Sequence, residues 1–382
     1  MRKVLMVLEA GFPIKGGGGA ESQVLTLGKC LMARSVAVQV VVPMSAHAPQ
    51  LTHDSIDGLE VLRIAYPKVR LLGGVVVLVR LAWLLFAERK NYSFIHAHIA
   101  NNMASICAVM GALLNKPVLI KLTGMHEMVG GILDASPTMS TRLKKWAMRK
   151  ADLLQATSER IRRMLIDSGF DAERIRLLPN GVDVARFATQ RNDKLRVELC
   201  GETSLVGIFV GRLSPEKGHM ALLRSWATAM AADKRTKLVL VGEGSERDKL
   251  RLLTEELDIT SQVVFAGHAS DVSQFLAIAD FGLLTSLSEG LSNALLEYMA
   301  AGLPVVGSRV SGTEDFVVPG ETGWLFEPGD GEELAQCLRE VSEQRVETIR
   351  KMGQNAQKKI IARASLEAVT NQLMDFYRLD AA

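Results

Sequence analysis

The sequence is poor in aromatic residues and in cysteine, and it has little net charge. Aromatic residues make up 5% of the 382 residues and no nucleic-acid-binding module is recognisable, so nucleic acid is not an expected partner. The four cysteines lie far apart, without a pair at metal-ligand spacing, and are expected to be small core residues in a reducing compartment. A composition of 48% hydrophobic and 23% charged residues excludes collagen, coiled coils and disordered tails.

The sequence also lacks an apolar run long enough to cross a membrane. The apolar run before Glu9 is only five residues long, which favours a first buried strand over a signal peptide, and hence a cytoplasmic location. Residues 71–87 are apolar except for Arg80, and we favour a buried or half-buried helix there over one lying in a membrane interface.

Charge is distributed unevenly along the chain. Residues 1–190 carry a net charge of +10 and residues 191–382 a net charge of −7, and the first half also holds the basic run Arg142–Lys150. Two interpretations remain open: peripheral contact with anionic lipid on the inner face of the cytoplasmic membrane, or a solvated helix face on a domain that differs in charge from its neighbour.

Short apolar runs alternate with stretches of helical character along the whole chain. Runs without polar alternation are typical of strands buried on both faces, and their alternation with helices predicts parallel sheets. The fold class is therefore α/β, with two doubly wound Rossmann-like domains over 1–185 and 186–363 and a closing helix over 364–382. The runs are 4–8, 36–42, 94–96, 118–122, 153–156, 205–210, 237–241, 263–266, 281–285 and 304–307.

A glycine run, Gly16–Gly19, follows the first predicted strand and precedes a helical stretch over Ser22–Ala33. Glycines at a helix N-terminus let backbone N–H groups approach a phosphate. The run lacks the third glycine of the dinucleotide fingerprint, and the second strand ends without an acidic residue for a ribose hydroxyl. A phosphate or substrate loop is therefore predicted rather than a nicotinamide site, with a mobile glycine turn as the alternative.

Two cations, Arg212 and Lys217, lie five residues apart in the Pro- and Gly-containing loop that follows the predicted strand 205–210. At the carboxyl end of a parallel strand they could converge on one diphosphate, because Arg chelates oxygens with its planar fork and Lys acts as a point charge. Solvated loop charges are the alternative explanation.

The segment Glu289–Glu297 is the most informative in the sequence. Ser292 or Asn293 can cap a helix over 294–301, which leaves Glu289 in the loop before the helix and Glu297 one turn inside it. Backbone donors at the helix start favour a phosphate, and a carboxylate one turn further in suits ribose hydroxyls. The spacing alone is uninformative, since most such pairs of glutamates are solvated.

Five segments of the second half occur in a characteristic order and spacing: 211–218 (GRLSPEKG), 240–244 (LVGEG), 265–268 (FAGH), 288–297 (SEGLSNALLE) and 301–306 (AGLPVV). With them the chain resembles glycosyltransferase family 4. Weaker matches are 18–21 (GGAE), 96–98 (HAH) and the junction 178–183 (LPNGVD). The resemblance implies the GT-B fold, in which two Rossmann-like domains face each other across a cleft and the last helix returns to the first domain.

The resemblance also implies a retaining transfer from a nucleotide-diphosphate sugar, with no metal and no cofactor. Arg212 and Lys217 would neutralise the donor diphosphate, Glu297 would bind the ribose and Glu289 would contact the transferred sugar. Further donor contacts would come from the backbone of Gly18, Gly19, Ser292, Asn293 and Ala294.

The sequence departs from the family pattern in two places. Where members often have His-Gly after the strand that follows Pro117, this chain has Thr123-Gly124, with His126 two residues further on. Either His126 serves the donor sugar or it is an ordinary loop histidine; His98 is a reserve candidate. In the second place, residues 310–315 (VSGTED) replace a usual Gly-Gly-x-x-Glu pattern.

The expected function is transfer of a sugar, from a UDP-sugar on family frequency, to a saccharide or lipid-linked acceptor of surface polysaccharide or glycolipid synthesis. A GDP-mannose-dependent mannosyltransferase is the first alternative. A nucleotide-sugar epimerase, a sugar-phosphate phosphorylase and a non-catalytic sugar-nucleotide binder are alternatives from other classes.

Overall fold

The structure is a computed structural model, and it describes residues 3–12, 18–45, 52–69, 72–124, 127, 131–134, 138–188, 190–202 and 205–378. The chain forms two compact units, Met1–Gly181 with Leu366–Ala382 and Val182–Ser365. These ranges differ by a few residues from the division expected from the sequence. Each unit is a mainly parallel sheet with helices, which confirms the α/β class with two Rossmann-like domains.

The first unit contains an eight-stranded sheet in the order β3-β4-β2-β1-β5-β6-β7-β8. All neighbours are parallel except β3 and β4, which form an antiparallel hairpin at one edge. The strands are β1 Lys3–Leu8, β2 Ala37–Ser45, β3 Thr52–Ile56, β4 Leu59–Tyr66, β5 Phe94–His98, β6 Val118–Leu122, β7 Leu153–Ala156 and β8 Ile175–Leu177.

The central strands of this unit are buried on both faces, as their continuous apolar runs predict: all residues of β5, β6 and β7 are buried. The last helix packs on the first, and its Val369, Leu373 and Tyr377 join the core beneath it. The helices of this unit are α1 Gly19–Ala33, α2 Leu72–Ala87, α3 Asn102–Leu114, α4 Met139–Met148, α5 Glu159–Asp167 and, after the second unit, α15 Leu366–Arg378.

The second unit contains a six-stranded parallel sheet in the order β11-β10-β9-β12-β13-β14. Its strands are β9 Leu205–Val210, β10 Thr236–Val241, β11 Val263–Gly267, β12 Phe281–Leu284, β13 Val305–Ser308 and β14 Gly323–Phe326. Its helices are α6 Val184–Phe187, α7 Asp193–Cys200, α8 His219–Met230, α9 Arg247–Glu256, α10 Ser273–Leu276, α11 Asn293–Ala300, α12 Thr313–Phe316, α13 Gly331–Glu343 and α14 Val346–Ala364.

The ten strands predicted from apolar runs are all present, but four others escape the pattern. The hairpin strands β3 and β4 carry charged residues at several positions, and β8 and β14 have only three and four residues. The polar stretch 186–203, which lacks a sustained apolar period and therefore predicts a linker between the domains, contains α7, and this helix buries Arg196 and Cys200. Within the described residues, no helix is long and apolar enough to span a membrane.

Candidate active site

The second unit has a topological switch point between β9 and β12. From these neighbouring strands the sheet grows in opposite directions, through β10 and β11 on one side and β13 and β14 on the other. In open parallel sheets, ligands bind outside the carboxyl ends of the strands at such a point. The loop that follows β9 contains residues 211–218 and the loop that follows β12 contains residues 285–292, so the two most informative segments of the sequence meet there.

Loop 211–218 is fixed by close backbone contact with the loop that follows β10. The Gly211 amide donates to the Val241 carbonyl at 2.9 Å. A Cβ at Gly242 would lie 1.9 Å from the Gly211 carbonyl oxygen. A Cβ at Gly244 would lie 2.1 Å from a carbonyl oxygen further along loop 211–218. Only glycine permits this approach, which accounts for both glycines of the segment 240–244.

The same loop is tied to the segment that follows β12. The Thr285 hydroxyl donates to the Lys217 carbonyl at 2.8 Å, and the Leu287 amide donates to the Glu216 carbonyl at 2.9 Å. Gly218 has φ 72°, and a Cβ there would lie 2.2 Å from the Thr285 carbonyl oxygen. These contacts hold the loop that carries both predicted cations against the segment that leads to Glu289.

Lys217 and Glu289 form an ion pair between the two loops. Their side chains are 22% and 12% exposed, so the pair is partly withdrawn from water. The Ser286 hydroxyl donates to the same Glu289 oxygen at 2.8 Å. The structure thus brings together a cation predicted to bind the donor diphosphate and a carboxylate predicted to contact the transferred sugar.

Arg212 is exposed at the rim of the same loop. The pKa of the Glu216 carboxyl is lowered, first by a hydrogen bond from the Ser214 hydroxyl at 2.5 Å and to a lesser extent by the charges of Lys217 and Arg212. Both cations therefore lie close enough to act on one carboxylate of this loop. Such a pair can neutralise a diphosphate.

Helix α11 begins after the segment that follows β12, with Ser292 at its N-cap position, which is buried and has extended backbone angles, although its side chain makes no capping hydrogen bond. Gly312 has φ 79°, and a Cβ there would lie 2.8 Å from the Gly290 carbonyl oxygen, so the turn after β13 presses on the segment before the helix. The neighbouring Ser311 is 2% exposed. The chain therefore keeps a glycine where backbones approach and has a serine at the adjacent position, where a side chain is accommodated.

Glu297 lies one turn inside α11 and is half-buried. Burial raises the pKa of its carboxyl to about 7, and the positive charge of Arg186 lowers this pKa by a smaller amount. Arg186 belongs to α6, which packs on α11, and it donates to Asp271 at 3.1 Å. A carboxylate that changes charge near neutral pH is thus held beside the predicted phosphate site.

The first unit has its own switch point, between β1 and β5. Gly18 caps α1 at this point, with extended backbone angles. The Glu21 carboxylate lies over Gly18 so closely that a Cβ at Gly18 would be 1.9 Å from Oε2 of Glu21. Gly18 and Gly19 therefore stand at the N-terminus of a 15-residue helix, as predicted, whereas Gly16 and Gly17 lie outside the described residues.

Glu127 binds the described residues that directly follow β6, where the sequence departs from the family pattern. This carboxylate is fully buried and accepts hydrogen bonds from the amides of Ala100, Thr123 and Gly124 at 3.0, 3.1 and 2.8 Å. The Thr123 hydroxyl donates to it as well. His126, the candidate for an active-site histidine, lies outside the described residues, so its role stays a prediction.

His98, the reserve candidate, is buried in the first unit together with His96. The two rings stack at 4.1 Å, and His96 Nδ1 lies 2.9 Å from the Tyr377 hydroxyl of α15. Burial lowers the pKa of His96 to about 3 and that of His98 well below its usual range. Both are therefore neutral at physiological pH, and their position favours the structural interpretation of the His-Ala-His segment.

Three residues of interest were not singled out from the sequence: Glu9, Glu127 and Arg186. Glu9 accepts hydrogen bonds from the Met103 amide and the Asn102 side chain at the start of α3, and burial raises its pKa. The signal available for Glu9 was its position directly after the predicted strand 4–8; Glu127 follows the predicted strand 118–122 by five positions, which is a weaker signal. Nothing in the sequence around Arg186 pointed to Glu297, because 111 positions separate them.

The site offers cations and backbone donors for a diphosphate. Among the residues that the structure describes, no group of three or more His, Cys, Asp or Glu side chains is arranged to hold a metal ion.

Comparison with known proteins identifies the family of the chain. A family model described as Glycosyltransferase Family 4 matches residues 17–186, and one described as Glycosyl transferases group 1 matches residues 190–359. The chain is 26% identical over 293 residues to the N-acetyl-alpha-D-glucosaminyl L-malate synthase of Bacillus anthracis, a match that covers 76% of each protein. It is 29% identical over 224 residues to LpsE, a lipopolysaccharide core biosynthesis glycosyltransferase of Rhizobium meliloti, covering 58% of this chain and 63% of that protein.

The fold also matches solved structures. HepE of Anabaena, in a crystal with UDP and glucose, superposes with a TM-score of 0.79 and 23% identity over 100% of both chains.

Proposed function

The chain belongs to glycosyltransferase family 4 and has the GT-B type of fold, and we propose that it transfers a sugar from a nucleotide-diphosphate sugar to a saccharide or lipid-linked acceptor. The proposed role is synthesis of a surface polysaccharide or glycolipid, with retention at the anomeric carbon and without a divalent metal or other cofactor. The Lys217–Glu289 ion pair, held at the switch point beside Arg212 and α11, is the observation that carries this proposal.

In the proposed mechanism, Arg212 and Lys217 bind the diphosphate of the donor. Breaking the glycosyl–phosphate bond places negative charge on the leaving diphosphate while positive charge develops on the sugar. Two fixed cations stabilise the leaving group at that moment, which is the role a metal ion takes in other transferases. The N-terminal amides of α11, from Ser292, Asn293 and Ala294, add donors with the same sense of charge.

The remaining site residues bind the rest of the donor. Glu297 accepts hydrogen bonds from ribose hydroxyls and Glu289 from hydroxyls of the transferred sugar. Gly18 and Gly19 contact the donor through backbone amides, and His126 is the candidate for a further sugar contact. For retention, the acceptor hydroxyl attacks the face from which the diphosphate leaves, and a phosphate oxygen of the leaving group takes its proton.

A UDP-sugar is the favoured donor. HepE, which shares the fold, was crystallised with UDP and glucose, and the favoured nucleotide rests on that likeness and on family frequency rather than on a residue that contacts the base. A GDP-mannose-dependent enzyme is the alternative. For the acceptor, the similarity to LpsE supports a lipid-linked saccharide, because the lipopolysaccharide core is a saccharide linked to lipid. The Bacillus anthracis synthase is instead named for L-malate.

The test is release of nucleoside diphosphate from a panel of UDP- and GDP-sugars, without divalent metal, in the presence of saccharide acceptors, lipid-linked acceptors and L-malate. Wild-type protein should release one nucleotide from one donor, and Arg212→Ala and Glu297→Ala should lose the activity. Conversion of the donor to an isomer without release would instead identify an epimerase. Donor binding without release of nucleoside diphosphate in the presence of any of these acceptors would identify a non-catalytic binder.

A peripheral position on an anionic membrane belongs to the same proposal, because a lipid-linked acceptor is presented at a membrane surface. The basic run Arg142–Lys150 supports it.

A further inference from the structure

Helix α2 exposes a continuous apolar stripe. Five side chains at spacings of three and four residues are at least half exposed, which places them on one face of the helix. They are Leu72 (53%), Val75 (56%), Val79 (62%), Trp83 (61%) and Phe86 (50%). The opposite face buries Val77, Leu81, Leu84 and Leu85 against the sheet. A surface helix ordinarily turns polar residues outward, and this one does not.

The single charge within α2 is removed from this stripe. Arg80 donates a hydrogen bond to the Ala65 carbonyl at the end of β4, so its guanidinium turns toward the sheet. The interruption in the apolar segment of the sequence therefore leaves no charge on the exposed face.

Helix α4 repeats the pattern two helices away. Met139, Leu143 and Trp146 are 79%, 65% and 54% exposed and lie at helical spacing on one face. Helix α3 packs between α2 and α4 and exposes Leu113 to 73%. The three helices contain no Asp or Glu, so the layer that they form exposes apolar side chains and, on α4, cations, but no negative charge of its own. We call the exposed apolar residues of α2, α3 and α4 the apolar face.

Cations surround the apolar face. The Arg89 guanidinium lies 4.2 Å from the Phe86 ring centre, and the Lys150 ammonium lies 4.6 Å from that of Trp146. Arg142 and Arg149 are exposed on the flank of α4. Aromatic rings paired with cations are found where a protein surface meets lipid headgroups, because the ring enters the acyl boundary while the cation stays with the phosphates.

From this arrangement we propose that the apolar face docks the first unit on the surface of an anionic lipid bilayer. The charge pattern selects this occupant over a second copy of the chain. In a two-fold dimer the same patch meets itself, and the cations around one copy would oppose those around the other. Anionic headgroups neutralise them instead. This docking rests on the proposed peripheral position of the protein and assigns that position to the apolar face. Binding to lipid can be measured without transfer activity.

The experiment is co-sedimentation of the full chain with vesicles of phosphatidylcholine alone or with about a third phosphatidylglycerol. We expect binding to the anionic vesicles that weakens with salt and little binding to the neutral ones. The double variant Val79→Ser/Trp83→Ser should bind about tenfold more weakly or worse, because it removes the centre of the stripe. Arg149→Gln/Lys150→Gln should weaken binding severalfold and reduce its salt dependence.

Leu252→Ser is the matched control, since Leu252 is 60% exposed but lies on α9 of the second unit; it should bind like wild type. Circular dichroism melts verify that the variants fold. Absence of wild-type binding, or equal binding by Val79→Ser/Trp83→Ser, would overturn the proposal. A dimer in light scattering that disappears in that variant, without vesicle binding, would show that a second copy covers the face. UDP binding by the same variants should be unchanged, so a failure of donor binding and a failure of docking are told apart.

Discussion

Lys217 and Glu289 neutralise each other across the switch point of the second unit. The proposed mechanism assigns them to different parts of the donor, Lys217 to the diphosphate and Glu289 to the sugar. A donor must therefore exchange this ion pair for two separate contacts when it binds. The pair keeps both side chains in place without leaving either charge uncompensated in a partly buried position.

Glu289→Gln should accordingly bind UDP more tightly than wild type, by a few fold, because Lys217 is released for the diphosphate. Transfer should fall by about a hundredfold or more, since the sugar loses its charged contact. Calorimetry with UDP and a transfer assay measure the two effects.

The control is Glu243→Gln, which removes the same charge from the neighbouring loop, where Glu243 pairs with Arg247; it should leave transfer within a few fold of wild type. Weaker UDP binding by Glu289→Gln than by wild type would show that Glu289 does not compete with the diphosphate for Lys217.

The raised pKa of Glu297 has opposite consequences for stability and for binding. Its folded-state pKa of about 7 lies above the ordinary value of 4.5, so the folded protein holds this proton more tightly than the unfolded chain does. The resulting stabilisation is present at low pH and is lost as pH rises toward 7. Glu297→Gln should therefore be more stable than wild type at pH 8 and no more stable at pH 5, as thermal melts would report.

UDP binding should show the reverse dependence. Ionised Glu297 accepts ribose hydrogen bonds more strongly than the neutral acid, so wild-type affinity should rise about fivefold between pH 6 and pH 8. Glu297→Gln should flatten this profile and bind UDP more weakly at pH 8. A wild-type profile that persists in the variant would assign the titration to another group.

Glu127 holds the loop after β6 as a positioning residue of the first unit. Glu127→Gln replaces one acceptor oxygen by an NH₂ group that faces backbone amides, and it should lower the free energy of unfolding by about 2 kcal/mol. Chemical denaturation measures this change. Glu60→Gln, at a carboxylate that is 63% exposed and pairs with Lys3, should change it by about 0.5 kcal/mol or less. Equal effects of the two substitutions would contradict a positioning role for Glu127.

Gly242 is required by both space and backbone angle. Gly242→Ala places a Cβ against the Gly211 carbonyl at φ 145°, and should displace loop 211–218 and weaken UDP binding by about tenfold or more. Gly320 also has a positive φ, 78°, but with open space around it, so Gly320→Ala should cost about 1 kcal/mol of stability while leaving UDP binding unchanged. Wild-type UDP affinity in Gly242→Ala would mean that the loop contact does not shape the site.

The sequence was sufficient to predict ten of the parallel strands, because both-face burial imposes continuous apolar runs, as in β6 and β9, but it missed the short parallel strands β8 and β14. It failed for β4 and its partner because an edge hairpin is partly solvated and admits charges such as Glu60. It also failed for α7, whose buried Arg196 reaches Asp280, 84 positions away. Because this helix is held partly by a polar contact, apolar residues recur in its sequence with only weak helical periodicity.

For the site, segments were predictable and pairings were not. Arg212, Lys217, Glu289 and Glu297 were singled out by their place after predicted strands. Two pairings depend on which strands are neighbours in the sheet: that of Lys217 with Glu289 and that of Arg186 with Glu297. No local pattern in the sequence specifies the strand order.

The central claim is that the switch point of the second unit binds the diphosphate of a nucleotide-sugar through Arg212 and Lys217. Isothermal titration calorimetry of UDP binding to the protein, without divalent metal, tests this claim most directly. The account predicts binding by wild type, and affinity at least about tenfold lower for both Arg212→Ala and Lys217→Ala. If both variants bind UDP as wild type does, these two cations do not hold the donor diphosphate.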